Sequence, residues 1–199
     1  MSFLQELREQ RWDDHRYYHH NRINQSLHLL SACCFLASYA LLFVSPVAAA
    51  FVGWLLAMTS RQIGHFCFEP KEYDHANQAT HEYKESIKVG YNLNRKIVLL
   101  SIWGLTPLLP YFDPSLLGLA EPHRNHQEYL HNLALMWIFL GFGAVVFRSV
   151  QLFFKSGLIT GLAWATKILS DPFHDIKLYH KAPIYVLRGE LYDPIVDHS

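Results

Sequence analysis

Hydrophobic positions in this chain come in long blocks divided by polar stretches, not dispersed at short intervals. Residues 1–22 carry Phe3, Leu4, Leu7 and Trp12 on or near one face, the spacing of an amphipathic helix. Asn21 and Asn24 interrupt it, because asparagine competes with helical hydrogen bonding and favours caps. If Asn24 caps a helix starting at Gln25, the apolar run through Val44 is long enough to cross a bilayer, which needs about 20 residues. Ser45-Pro46 turns the chain, and an equally long run returns to His65. A polar insert, 70–96, separates this hairpin from a second one, 97–154. There, 97–112 contains Pro107 and Pro110 and should be kinked, 113–131 reads as a loop, and 132–154 as an apolar helix carrying Arg148. From 155 to 199 the chain becomes amphipathic, then polar and punctuated by proline. The pattern predicts an all-α integral membrane bundle: a single domain, 1–199, with about four transmembrane helices in two hairpins and amphipathic N-terminal and C-terminal segments.

Composition strengthens that expectation. The chain is 51% hydrophobic and 15% aromatic, and only 17% charged, below the roughly 25% usual for soluble domains. Its balanced charge, +0 with pI about 7.2, offers no basic face for nucleic acid. Three cysteines without repeated spacing do not form a disulfide framework. The opening segment is unlike a secretory leader, so membrane entry would rest on the internal spans. Lysines and arginines concentrate in 1–22, 61–96 and 155–188, whereas 113–131 holds only Arg124. By the positive-inside rule, both termini and the insert 70–96 are then cytoplasmic, in a bacterial inner membrane or the endoplasmic reticulum. That puts His123, His126 and His131 across the membrane from His15, His19, His20, His28, His65 and His81.

The sharpest chemical signal lies at the mouth of the first hairpin. His19-x-Asn21-x2-Asn24-x3-His28 enters it and Gly64-His65-x3-Glu69 leaves it. Within one unbroken helix, nine residues would set His19 and His28 on opposite faces. A break at the asparagines allows both to converge on His65. Two or three imidazoles with one carboxylate and open positions is the ligand logic of non-haem Fe(II) oxygenases. Asn21, Asn24 and His20 are better suited to orienting ligands than to ligating, and Gly64 to close helix approach. The alternative is that these groups cap helix ends and reach to the interface.

These motifs resemble the yeast-type 2-hydroxy fatty acid dioxygenase family, small membrane proteins of fatty acid alpha-oxidation. The elements carrying the resemblance are HHNRINQSLH, residues 19–28, and IGHFCFE, residues 63–69. It implies an Fe(II)-dependent enzyme that uses O2 to shorten a 2-hydroxy fatty acid, or a related lipid, by one carbon with release of CO2. It further implies His19, His28 and His65 as iron ligands and Glu69 as ligand or outer partner, the four forming the catalytic centre. One iron is favoured; two are possible.

Further histidines leave a second arrangement open. His15 with His19-His20 forms H-x3-H-H, and His81, His174, Asp175 and His180 add cytoplasmic candidates. They are numerous enough for a di-iron lipid hydroxylase or desaturase, although the ordered boxes of those enzymes are missing. A membrane metal-binding or structural protein is the non-enzymatic alternative. The topology has a direct check. In a background lacking the native cysteines, His75→Cys and His123→Cys should label from opposite membrane faces; labelling from one face eliminates the four-span arrangement.

Overall fold

The computed structural model describes residues 2–69, 71–75, 77–116, 118 and 120–194, and among them the secondary structure is helical throughout. Helix α1, Phe3–Tyr18, starts where the Ser2 side chain accepts from the Gln5 N–H and stops at His19. Helix α2, Arg22–Leu41, begins at once, because the Asn21 side chain accepts from both Ile23 N (2.9 Å) and Asn24 N (3.2 Å). The cap is thus Asn21, and Asn24 sits inside the first turn with a side chain free for other work. Ser45 caps α3, Pro46–Phe51, with proline pre-set for the first turn.

Beyond α3 the helix is not regular. Wide π turns at Val52–Met58 and Gly64–Phe68 flank α4, Thr59–Ile63. Such turns re-aim side chains and concentrate at functional sites, and the second of them carries His65. Helix α5, His81–Ile87, lies within the polar insert. Helix α6, Leu93–Leu105, and α7, Leu108–Phe112, are separated at Thr106-Pro107, the kink that proline predicts. Helix α8, His126–Ser156, is the longest; α9, Leu158–Tyr179, and α10, Ala182–Leu187, follow it. The C-terminal tail is therefore largely helical up to Leu187, and its residues 195–199 lie outside those described.

Helix α9 is the hub: it packs on α1, α2 and α8. Its approach to α8 depends on Gly161, where a Cβ would lie 2.4 Å from Phe153 Cδ1 and 2.8 Å from the Ser149 carbonyl. The two hairpins are tied by tryptophans. Trp54 Nε1 donates to the Trp137 carbonyl at 2.8 Å, and Trp54 and Trp103 stack with centroids 5.6 Å apart. Arg148 is satisfied by the loop, donating to the Val89 carbonyl from Nε (3.0 Å) and Nη2 (2.6 Å).

The outer surface is apolar. Phe43, Phe112, Phe139 and Phe154 are 91%, 76%, 73% and 88% exposed, and no residue of α6 is buried. Single exposed hydrophobes are ordinary, but so many large ones on one small chain are not. Among the described residues one helix, α8, is long and apolar enough to cross a membrane, and only 28% of its most apolar window is buried. The other predicted spans fall short of that standard for local reasons. The first turns of α2 carry Asn24, Gln25 and His28, the return stretch is divided by π turns, and α6 and α7 are split by Pro107.

Crowding at Gly161 gives a stability test. Gly161→Ala should destabilise by about 1–3 kcal/mol, the usual range for overpacking. Gly104→Ala, where a Cβ meets nothing within 4 Å, should leave thermal unfolding in detergent unchanged or slightly raised.

Candidate metal centre

Three elements each deliver one imidazole to the same place. His19 comes from the end of α1, His28 from the second turn of α2, and His65 from the π turn that opens at Gly64. Ring centroids are separated by 4.0 Å for His19 and His28, 4.9 Å for His28 and His65, and 5.2 Å for His19 and His65. All three rings are buried, and one nitrogen from each lies within 4.8 Å of the other two, so the group can hold a metal ion. The break at Asn21 does the convergence: without it His19 would stay on the far side of a continuous helix.

Oxygens behind the rings aim them, through hydrogen bonds to His65 and His19 and through a charge contact without a hydrogen bond to His28. His65 Nδ1 is 2.8 Å from Glu69 Oε2, His28 Nδ1 is 3.6 Å from Asp175 Oδ2, and His19 Nδ1 is 3.4 Å from the Tyr179 hydroxyl. Each Nδ1 faces an oxygen, which leaves Nε2 as the donor atom. The Nε2 atoms of His19 and His28 are buried without a hydrogen-bond partner among the described residues. An unpaired buried polar atom costs about 1–3 kcal/mol, and a cation at the common point would satisfy these nitrogens together. This is the outer-oxygen, imidazole, metal arrangement of metalloprotein sites. Burial, then the neighbouring His28, holds His19 well below the usual imidazole range, so it stands neutral and fit to ligate.

Behind the imidazoles lies a buried charged layer supplied by α9. Arg61 donates to Asp175 at 3.0 Å and sits 3.6 Å from Asp171, which also faces Arg11 at 3.6 Å. Lys167 pairs with Asp14. Burial would raise both α9 carboxyls. Arg61 and His28 nonetheless keep Asp175 below its ordinary value, while burial carries Asp171 up to about 6. Asp175 is thus the anionic partner of His28. The tail beyond α10 closes over the junction of α1 and α2: Asp193 pairs with Arg22 at 2.9 Å and accepts from Gln25 at 2.8 Å, and Gln25 also donates to the His19 carbonyl.

The other candidates fall around this group. Glu69 stands behind His65 and also pairs with Lys88 at 2.9 Å. Asn24 donates to the Tyr18 carbonyl and leaves a buried Oδ1 without a partner, and Asn21 serves as the α2 cap. His15 lies 3.4 Å from Tyr179, and His20 turns back to the Arg16 carbonyl. His81 opens α5, His174 is half-buried on α9, and exposed His180 meets the Lys177 carbonyl. Only His19, His28 and His65 form a metal-holding group among the described residues.

Tyr179, Arg61 and Asp193 were not apparent from sequence motifs. A signal for the first two exists in the spacing. Asp171, Asp175 and Tyr179 recur every four residues on α9, as do Arg61, His65 and Glu69 on the return stretch. Residues four apart share a helix face.

His19 and His65 open on a largely apolar cavity of about 300 Å³ between the hairpins, walled in part by Phe35, Leu42, Trp54, Leu99 and Ile138. Space at the site itself is tight. A Cβ on Gly64 would lie 2.2 Å from Asn24 Oδ1 and 3.5 Å from His28 Cδ2. Gly64→Ala should therefore lower the metal bound per chain, measured by elemental analysis, and Asp175→Asn should weaken metal affinity by about 10- to 100-fold. Comparisons with protein families, with curated proteins and with solved structures find no match for this chain. It is the geometry of the three imidazoles that marks a group able to hold a metal ion.

Proposed function

We propose that this chain is an integral membrane, iron-dependent dioxygenase that shortens a 2-hydroxy fatty acid by one carbon. The observation that carries the reading is the triad of buried, outward-braced imidazoles, two of which, His19 and His65, line a cavity whose wall is mainly apolar. Three imidazoles suit several divalent ions, iron among them. The motifs that hold His19, His28 and His65 are those that resemble the dioxygenase family. A single metal-holding group among the described residues favours one iron over two. The exposed apolar side chains and the exposed face of α8 support a membrane bundle, and the lysine and arginine distribution is the basis for placing both termini and the 70–96 insert on the cytoplasmic side of four spans.

Different residues take different parts of the work. Glu69, Asp175 and Tyr179 hold the Nδ1 side of the imidazoles, so the Nε2 side is presented without reorganisation. The cavity takes the hydrocarbon chain and excludes water from the reacting carbons. When bound, Fe(II) supplies open positions for a 2-hydroxy carboxylate and electron transfer to O2. The overall reaction balances: hydroxy acid plus O2 gives the acid one carbon shorter, CO2 and water, with four electrons passing from the two terminal carbons to O2.

Anaerobically purified protein should contain close to one iron per chain and convert 2-hydroxyhexadecanoate with O2 to the acid one carbon shorter. His28→Ala and His65→Ala should lose metal and turnover together, whereas His123→Ala keeps both. Two irons per chain would move the assignment to a di-iron hydroxylase. Full iron and full activity in His65→Ala would defeat it.

A further inference from the structure

Four cationic side chains line the cavity, and three of them are already neutralised. Arg61 pairs with Asp171 and Asp175, Lys167 with Asp14, and Lys88 with Glu69 at 2.9 Å and Glu85 at 3.2 Å. Lys88 also sits 3.7 Å above the Tyr18 ring. Lys96 alone among the four forms no ion pair with a described residue. Its position is specific. Lys96, His65 and Lys88 wall both the main cavity and the small cleft that adjoins it at the Glu69 end, so the unpaired ammonium stands at the histidine end.

A buried or half-buried ammonium without a counter-anion is unfavourable, and the cost is relieved either by losing its proton or by a negative group that arrives with the ligand. Most of the cavity's remaining wall is apolar and suits a hydrocarbon chain. Lys96 also stands in the first turn of α6, next to the first residue of the apolar block 97–112. We infer that Lys96 is the carboxylate anchor of the substrate: its Nζ pairs with the headgroup of a long-chain fatty acid whose tail lies in the cavity, bringing C1 and C2 to the imidazole triad. This deepens the dioxygenase reading and rests on it for the identity of the reacting carbons. The binding role itself needs no metal and can be tested apart from it.

The test uses metal-free, full-length protein in detergent, with hexadecanoic acid and its methyl ester as probes in parallel titrations. The wild type should bind the acid at least about 10-fold more tightly than the ester, the range of a charge-assisted hydrogen bond. Lys96→Met, which keeps length and removes charge, should erase that preference by weakening the acid while leaving ester binding unchanged. Lys96→Arg should retain the preference, which excludes mere loss of folding. Equal binding of acid and ester by the wild type, or an acid preference surviving in Lys96→Met, overturns the assignment. In the iron-loaded protein, Lys96→Met should raise KM for the 2-hydroxy acid with kcat little changed. Intact acid binding with no oxygen-dependent turnover would count against the dioxygenase reading and leave the anchor standing.

Discussion

Three imidazoles are buried with one ring nitrogen of each within 4.8 Å of the other two, and the rest of the fold is organised around that constraint. Neutral imidazole is a modest group to bury; three of them packed together, two with unpaired Nε2 atoms, are not. The arrangement persists only if other groups hold each ring from behind. Glu69 does so from the end of the return stretch, and Asp175 and Tyr179 from α9. Removing the brace from one ring frees it to rotate toward a partner of its own, and the common point is lost.

Those braces bring charge into the interior, and the charge has to be balanced there. Asp175 is kept ionised by Arg61, and Arg61 draws in Asp171, which reaches Arg11 on α1. Glu69 draws in Lys88, and Lys88 draws in Glu85 on α5 within the insert. The chain of pairs runs from the imidazoles outward to α1, α5 and α9, linking elements far apart in sequence. Breaking one member of such a network leaves an uncompensated buried charge, usually worth several kcal/mol. The site and the docking of the helical tail are for this reason one energetic unit. Lys96, standing outside this network at the cavity wall, is the exception that gives the cavity a polarity.

Much of this is legible along the chain. Apolar blocks give helices because their length and lack of strand alternation leave no other way to satisfy the backbone, and Asn21, Ser45 and Pro107 mark boundaries through local hydrogen bonding and the missing proline N–H. The convergence of His19, His28 and His65 follows from the broken nine-residue spacing and the length of the hairpin. Fine register is less legible. Asn24 reads as a cap, but Asn21 reaches two N–H groups first, so α2 starts three residues earlier and Asn24 turns to the Tyr18 carbonyl and the Gly64 surface. The π turns leave no trace in the sequence, since they arise where helix packing, not propensity, decides the pitch.

The sequence by itself determined the helices, the hairpin and the three imidazoles, because each depends on residues near one another in the chain. Tertiary structure alone decided which oxygen braces which ring, which lysines are neutralised and what walls the cavity. Tyr179 meets His19 across 160 residues and Asp193 meets Gln25 across 168, and no local spacing carries such pairings. The four-residue stripes on α9 and on the return stretch announce that those faces are polar. Only the packing of α9 against α1 and α2 tells them what to face, since a helix face is a local property and its partner is not.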